Sequence, residues 1–416
     1  MHVSIIGLGY IGLPTAVALA NAGVKVRGVD LNEAVVRNVN DGILSFVEPG
    51  LAEQLANVVD AGLLTAGTAP EQADVFVVAV PTPFNGDRTA DLRAVEAATR
   101  SLSKVLHGGE LVILESTSPP GTTERLMGWV AEERPDLVGE VDFAHCPERV
   151  LPGQMMRELV ENGRIVGGLT PAASLRAKAL YESFCRGTIL TADARTAELV
   201  KLVENAYRDV NIAFANEISL ISDQLSVNTW EVIELANQHP RVNILNPGPG
   251  VGGHCIAVDP WFIVEAAPST AKLIRLAREV NDAKPDYVVQ QVADAAGPST
   301  SSIAVLGLAF KKNVDDLRGS PAIDITRRIA ERFPTVAVHV IEPHIAELPA
   351  ELRLPNVALE STAAIASADI VLLLVDHDQF QAAHTYVAAD ASVIDTRGQW
   401  GSVDLHALST LDAAAR

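Results

Sequence analysis

The sequence predicts an α/β protein: two Rossmann-like, doubly wound parallel-sheet domains joined by a central helical domain. Short, continuously apolar runs alternate with helical patterns over residues 1–195, as expected of parallel strands buried on both faces. Between Thr196 and about Ala293 no convincing strand run occurs and helical periodicity dominates. The alternation returns at Ser302. The expected domains are therefore 1–195, 196–297 and 298–416, with Gly297-Pro-Ser-Thr-Ser-Ser302 as the second boundary. A chain of 416 residues accommodates two or three such domains.

In the first part, Val3–Gly7 reads as a strand and Ile11–Ala22 as the helix that follows. Val24–Asp30, Val75–Val80 and Leu111–Glu115 are further strands. The helical middle is interrupted over His239–Gly253. In the last part Ile303–Leu308 is a strand and Pro321–Arg332 a helix with proline in its first turn. Val336–Ile341, Ile370–Val375 and Ser392–Asp395 complete the set. The two α/β parts share architecture without a strict internal repeat.

Apolar residues make up 48% of the chain, enough for sizeable cores. No apolar run reaches the roughly 18 residues needed to span a bilayer. The N-terminus runs straight into a strand, without the basic, apolar and cleavable segments of a secretion signal. Cys146, Cys185 and Cys255 lie too far apart for a CxxC metal site or a disulfide framework, which points to a reducing, cytoplasmic location and to no bound metal. With 32 Lys and Arg against 52 Asp and Glu, the net charge is −20. That charge disfavours nucleic acid and membrane as partners, but leaves room for an anionic ligand in a locally basic pocket.

Gly7-Leu8-Gly9-Tyr10-Ile11-Gly12 follows the first strand and opens the first helix. Glycines at this spacing permit a tight turn, close approach of backbone to a pyrophosphate and close helix packing, and the helix N-terminus offers N–H groups to the anion. Asp30 ends the second strand, where a carboxylate binds ribose hydroxyls and repels a 2′-phosphate; NAD is thus expected rather than NADP. Val80-Pro-Thr-Pro83 and Glu115-Ser-Thr-Ser118 lie at strand ends on the side where such sheets bind ligands. Thr82 and Thr117 are placed to donate to the cofactor there, or simply to cap local turns.

Asn246-Pro-Gly-Pro-Gly-Val-Gly-Gly-His-Cys255 is unusually poor in side chains. Such a loop can approach a ligand closely and adopt positive φ. A thiol at its end, followed by Asp259, suits a nucleophile, whereas a core cysteine needs no glycine-rich approach. Cys146, just before Pro147-Glu148, and Cys185 read as inert packing. In Leu199–Arg208, Lys201, Asn205 and Arg208 fall on one helical face. With Val203 and Ala206 beside them and the apolar stretch Ile212–Ala215 following, the helix is expected to be largely enclosed. A polar stripe in that setting needs partners, and a ligand is one; a solvated surface stripe is the other reading.

Together these segments resemble the UDP-glucose/GDP-mannose dehydrogenase family over essentially the whole chain, most closely its branch acting on UDP-N-acetyl-D-mannosamine. The resemblance is carried by Gly7–Gly12, Val80–Phe84, Leu114–Gly121, Cys146–Gly153, Phe214–Leu220, His239–Ile263, Phe310–Pro321 and Val375–Phe380. The block from His239-Pro-Arg-Val-Asn-Ile-Leu245 to Cys255-Ile-Ala-Val-Asp-Pro-Trp261 is the most specific. UDP-glucose dehydrogenases typically carry Phe-Pro-Lys-Asp after the cysteine. Here Ile256-Ala257-Val258 precede Asp259 and that lysine is absent, which argues against UDP-glucose.

The resemblance implies oxidation of a sugar C6 alcohol to the carboxylate with two NAD. Cys255 captures the intermediate aldehyde as a thiohemiacetal, and the thioester formed next is hydrolysed. A nearby cation such as Lys201 would favour the thiolate. Lys201 and Asn205 are suited to stabilise the oxyanions. The sequence leaves open whether Lys201 is the base or whether Asp259 or Glu148 acts through a water. By the same matching, Arg149, Val150, Lys201, Asn205, Arg208, His239, Arg241, Gly252, Lys311 and Asp316 contact the UDP-N-acetyl-hexosamine, and Arg318 reaches the NAD. Gly7, Gly9, Tyr10, Ile11, Gly12, Asp30, Thr82 and Thr117 form the rest of the cofactor site. A homodimer through the central helical domain and a role in polysaccharide synthesis are also implied. The same oxidation of UDP-N-acetylglucosamine or its galacto epimer is the neighbouring reading, and a non-catalytic UDP-sugar-binding homologue a further one.

Overall fold

The computed structural model describes residues 1–401 apart from Pro152 and His254. They form two compact units: Met1–Glu204 with Trp261–Ala271, and Asn205–Pro260 with Lys272 onward.

The first unit is built on eight strands: β1 (His2–Ile6), β2 (Lys25–Val29), β3 (Leu64–Gly67), β4 (Val75–Val78), β5 (Leu111–Leu114), β6 (Asp142–His145), β7 (Arg164–Gly168) and β8 (Ile189–Asp193). Their order is β3-β2-β1-β4-β5-β6-β7-β8. The first six follow the order of a dinucleotide-binding sheet, and the direction of winding reverses between β1 and β4. Alternation along each strand divides the core. Val3, Ile5, Val77 and Ile113 face one layer with Leu13, Val17 and Leu51. Ile6, Phe76, Val78, Val112 and Leu114 face the other with Val95, Leu102 and Leu126. The helix Gly12–Asn21 is buried almost throughout because its residues are small. One pair departs from the expected parallel sheet: β6 and β7 run antiparallel, with Ala144 opposite Gly168 and His145 opposite Gly167. Arg164 at the start of β7 therefore lies beyond the carboxyl end of β6.

The second unit holds β9 (Ser302–Leu306), β10 (Ala337–Ile341), β11 (Val357–Leu359), β12 (Ile370–Leu373) and β13 (Ser392–Asp395) in the order β11-β10-β9-β12-β13. All four pairings are parallel. The order repeats that of the first five strands of the larger sheet, and so does the first turn. Gly7 (φ +97°) donates its N–H to Val29 at 2.8 Å and Leu8 donates to Asp30 Oδ2 at 3.0 Å. Gly307 (φ +91°) donates to Ile341 at 2.9 Å and Leu308 to Glu342 Oε2 at 2.7 Å. The repeat is one of backbone geometry, which explains why it leaves little trace in side chains.

The middle of the chain is helical, as expected: Ala194–Gln224, Thr229–Ala236, Asp259–Ala266 and Lys272–Ala295. The expected enclosure is corrected. Ala206 and Ala213 are buried, yet Val203 is 48% exposed and Tyr207 70%. Only one face of the long helix is covered. In the second unit that face carries Asn205, Asp209 and Asn216, all buried, at i, i+4 and i+11. Asp209 Oδ1 accepts from Arg278 Nη1 at 2.5 Å and from Asn281 Nδ2 at 2.8 Å. Asn216 Nδ2 donates to Asn281 Oδ1 at 2.8 Å. A cation and three polar side chains thus pair with one another inside a helical core, where each would be costly alone, although Asp209 Oδ2 and Arg278 Nε have no hydrogen-bond partner among the described residues.

Arg278→Met removes the cation while keeping much of the volume, and leaves Asp209 buried without its charge partner. The expected loss is about 3–5 kcal/mol, a thermal midpoint lower by roughly 6 °C or more in scanning calorimetry. An unchanged midpoint would show that the pair carries no net stability.

Candidate functional site

Gly7, Gly9 and Gly12 are glycine for different reasons. A Cβ on Gly7 would lie 2.5 Å from the carbonyl oxygen of Ala79, and one on Gly12 would strike the carbonyl oxygen of Gly7. Gly9 has no protein atom within 4 Å of that position, so packing does not require it, whereas close approach of a phosphate would. Ile11 precedes the helix Gly12–Asn21 without a side-chain cap, and Leu13 N–H donates to the Gly9 carbonyl at 3.1 Å. Tyr10 stacks on Phe46 with ring centroids 4.3 Å apart. The Asp30 carboxylate is held by Leu8 N–H at 3.0 Å and Asn32 N–H at 2.9 Å. These features fit a dinucleotide with free ribose hydroxyls.

At the ends of β4 and β5, Thr82 donates its hydroxyl to the Thr117 carbonyl at 2.6 Å, and Ser116 donates to that of Val80 at 2.7 Å. The two segments are thereby tied together. With its proton engaged by the Thr117 carbonyl, the Thr82 hydroxyl has acceptor lone pairs to offer; Thr117 is half-buried. Glu198, one turn before Lys201, is 1% exposed and accepts from Gly121 N–H (2.6 Å), Thr123 N–H (2.7 Å) and the Thr123 hydroxyl (2.6 Å). It supplies, from another helix, the cap that Gly121 lacks. Burial pushes its carboxyl up, against the pull of these bonds.

After β6, Glu148 Oε1 accepts from Arg149 N–H at 2.7 Å, and Oε2 pairs with Arg164 Nη2 at 2.8 Å. Arg149 reaches Glu204 at 2.7 Å and the Gly163 carbonyl. These contacts engage one N–H on each of its two terminal nitrogens. Val150 packs on the first core. Cys146 is buried beside Arg164, and its thiol is pushed up to about 12, chiefly by burial, consistent with an inert thiol. Cys185 is also buried.

Cys255 is exposed in the second unit. Its carbonyl accepts from Val258 (3.1 Å) and Asp259 (2.9 Å), forming the turn that leads into the helix Asp259–Ala266. The thiol therefore lies one turn ahead of a helix N-terminus, the end that favours an anion. Asp259 is 3% exposed and takes the Asn205 amide at 2.6 Å. The loop is fixed by backbone: Gly248 N–H donates to Asn216 Oδ1 at 2.9 Å. Gly250 (φ +143°) lies against Pro285 and Pro321. A Cβ on Gly252 would meet the Gly319 carbonyl oxygen at 2.8 Å and Phe310 Cβ at 3.0 Å, so packing alone accounts for that glycine.

Along the long helix, Lys201 is half-buried, Asn205 buried and Arg208 exposed. His239, Arg241 and Lys311 are exposed, and Arg241 N–H donates to His239 Nδ1 at 3.3 Å. Asp316 and Arg318, matched separately to sugar and NAD, form a bidentate pair at 2.9 and 2.7 Å. Glu342, His344 and His377 bring potential metal-ligating atoms within 4.8 Å of one another. His377 Nδ1 accepts from Asn313 N–H at 2.8 Å, so its proton is on Nε2, which faces Glu342 at 3.1 Å. A neutral imidazole used this way has no lone pair for a metal.

Sequence reasoning missed Arg164, Glu198 and the Asp209–Arg278–Asn281–Asn216 network. A visible signal existed for Arg164, a charge heading the apolar run Ile165-Val-Gly-Gly168.

Models of the UDP-glucose/GDP-mannose dehydrogenase family match the chain in three segments: the NAD binding domain over 1–185, the central domain over 195–283 and the UDP binding domain over 304–402. The NDP-N-acetyl-D-galactosaminuronic acid dehydrogenase of Ralstonia nicotianae is 54% identical, with 96% of each chain covered. The UDP-N-acetyl-D-mannosamine dehydrogenase of Salmonella typhi is 51% identical over 96% of this chain and 99% of its own. The solved structure of the Pyrococcus horikoshii UDP-D-ManNAc dehydrogenase superposes with a TM-score of 0.85 at 37% identity, covering 97% of this chain and 96% of that one.

Asp30→Ala is expected to raise the dissociation constant for NAD about tenfold, or ~1.4 kcal/mol, and to narrow the preference over NADP. Titration of intrinsic fluorescence with each dinucleotide measures both. An unchanged constant for NAD would remove Asp30 from the site.

Proposed function

The chain belongs to the UDP-glucose/GDP-mannose dehydrogenase family, and from that premise we propose that it is the UDP-N-acetyl-D-mannosamine 6-dehydrogenase of its source. It is an NAD-dependent nucleotide-sugar dehydrogenase that oxidises the sugar C6 alcohol to the carboxylate. The observation that carries the proposed mechanism is an exposed thiol, Cys255, at the end of a backbone-anchored glycine loop, with the buried Asn205–Asp259 pair behind it. The Ralstonia nicotianae relative supports a second reading, the galacto epimer.

NAD, when bound, accepts the two electrons of each oxidation as hydride. The chain's own residues do the rest. The Cys255 thiolate adds to the C6 aldehyde, forming a C–S bond and an oxyanion that collapses to the thioester in the second oxidation. Water then breaks the C–S bond, releasing carboxylate and regenerating the thiol. Lys201 and Asn205 stabilise the oxyanions by charge and amide donation. Glu148, with one lone pair on each oxygen already engaged, or Asp259 takes the proton through a water. Arg149, Arg208, His239, Arg241, Lys311 and Asp316 bind the nucleotide sugar, with arginine favoured at the diphosphate. Arg318 and the Gly7–Gly12 turn serve the dinucleotide.

A homodimer through residues 196–297 is part of the proposal. Tyr207, Phe214 and Ile221 are exposed at heptad spacing on the long helix, Leu225 is exposed just after it, and Leu273 and Leu276 are exposed on the helix Lys272–Ala295; such a stripe is expected to be covered. Phe214→Asp should convert a dimer into a monomer in light scattering, and a wild-type monomer would sink this part. A cytoplasmic location accords with the few, widely spaced cysteines, Cys146, Cys185 and Cys255. None of the described helices is long and apolar enough to cross a membrane.

The function is tested with UDP-N-acetylmannosamine, UDP-N-acetylglucosamine, UDP-N-acetylgalactosamine and UDP-glucose. Turnover of the first with about two NADH per sugar is expected, and Cys255→Ala should abolish the net four-electron oxidation. Robust turnover of UDP-glucose with none of UDP-N-acetylmannosamine would overturn the assignment. Full turnover by Cys255→Ala would overturn the covalent route.

A further inference from the structure

The antiparallel turn of β7 places a charged group where a parallel strand would not. Arg164 lies beyond the carboxyl end of β6, and its side chain is only 4% exposed. It sits between two carboxylates from neighbouring strand ends. Nη2 is 2.8 Å from Glu148 Oε2, and Nη1 is 3.9 Å from Glu115 Oε1. Its guanidinium lies 4.8 Å from the Tyr181 ring centroid and 5.3 Å from that of Phe184. Glu115, directly after β5, also accepts from Thr15 (3.4 Å) and Tyr181 (3.3 Å). Cys146 lies 3.9 Å from Nη1. These are the titratable and polar groups that face Arg164 from the elements around it.

Two carboxylates beside one buried cation disfavour ionisation of both. Burial first, and then the charge of Glu148, push Glu115 up to about 8, against the pull of Arg164. The protonated form of Glu115 is thus favoured, and the nearer acid, Glu148, is the one that pairs with Arg164. The Glu148 carboxylate is then gripped on both oxygens, by Arg164 and by the Arg149 N–H.

We propose that Arg164 is a positioning residue that holds Glu148 aimed through this ion pair; the proposal rests on the role given to Glu148 above. Arg164 itself is not placed against substrate. Its planar fork spans both acids, which a lysine ammonium does not.

The test uses protein labelled with ¹³C at the glutamate carboxyl carbons, the Glu148 signal being the one missing from Glu148→Gln. In Arg164→Gln that signal should titrate at least one pH unit higher, a tenfold weaker hold on the ionised form, with Arg164→Lys between the two. Arg164→Gln should also lower kcat roughly tenfold to a hundredfold with KM values little changed, and move the acid limb of the kcat profile upward. Adding it to Glu148→Gln should cost nothing further. An unmoved Glu148 midpoint, in Arg164→Lys if Arg164→Gln fails to fold, overturns the proposal, as do losses that add in the double variant. The titration needs no turnover. A shifted midpoint in a protein that does not release about two NADH per sugar would sink the functional reading and leave the hold of Arg164 on Glu148 standing.

Discussion

The approach to Cys255 has almost no side chains with which to pack, so its path must be set by backbone hydrogen bonds and by what presses against its glycines. One bond matters most, from Gly248 N–H to Asn216. Asn216 can accept there because its amide is oriented by Asn281, which in turn is fixed by Asp209 and sits beside Arg278. Leaving any one of these groups unpaired in the core would cost about 1–3 kcal/mol, more for the charges. The register of the helices Ala194–Gln224 and Lys272–Ala295 is thus coupled to the position of the loop. The same helical face that carries Asp209 and Asn216 carries Asn205, whose amide holds Asp259, four residues after the cysteine. A single polar seam therefore places both the start of the loop and the residue that follows its end.

The first unit solves a related problem with charge. Strand ends that bind a ligand must stay open to it, so they cannot be sealed by apolar packing. Glu198 caps the helix after Gly121 from below, and Thr82 ties one strand end to the next. Arg164 and Glu115 support the loop after β6 from within the core. Supports of this kind leave the outward lone pairs and N–H groups of the rim available, as a pre-organised site requires.

Much of the fold was legible because apolar strands and helical stripes follow from simple periodicities. Pro321–Arg332 and Ser392–Asp395 fall where the sequence places them. β3, β6, β7, β8 and β11 were not foreseen, since short runs with glycine or polar residues blur their pattern, and nothing local distinguishes an antiparallel neighbour of β6 from a parallel one. Motifs of backbone geometry, Gly7–Gly12 and the cysteine loop, were legible from glycine spacing. The stripe Lys201–Asn205–Arg208 was legible only in part. Its buried continuation runs through Asp209 and Asn216, and Arg208 turns to solvent, because which face of an amphipathic helix is covered depends on partners distant in sequence.

The second sheet shows how similar geometry can be turned to a different use. Gly307, Leu308 and Glu342 reproduce the turn made by Gly7, Leu8 and Asp30, down to the acid that accepts from the residue after the glycine. Yet Ala309 stands where the first turn has Gly9. Glu342 also accepts from Ala309 N–H, His344 N–H and His377 Nε2. Burial alone would raise its carboxyl; His377 and these N–H groups outweigh it and hold the group below its ordinary value. With its side chain wholly enclosed, Glu342 cannot reach a ribose. The position that Asp30 holds in one half of the molecule is occupied, in the other, by an acid that serves as an internal fastener for the turn. Recognition there must come from residues outside the turn, in keeping with a domain that matches the family's UDP-binding segment and not its NAD-binding one.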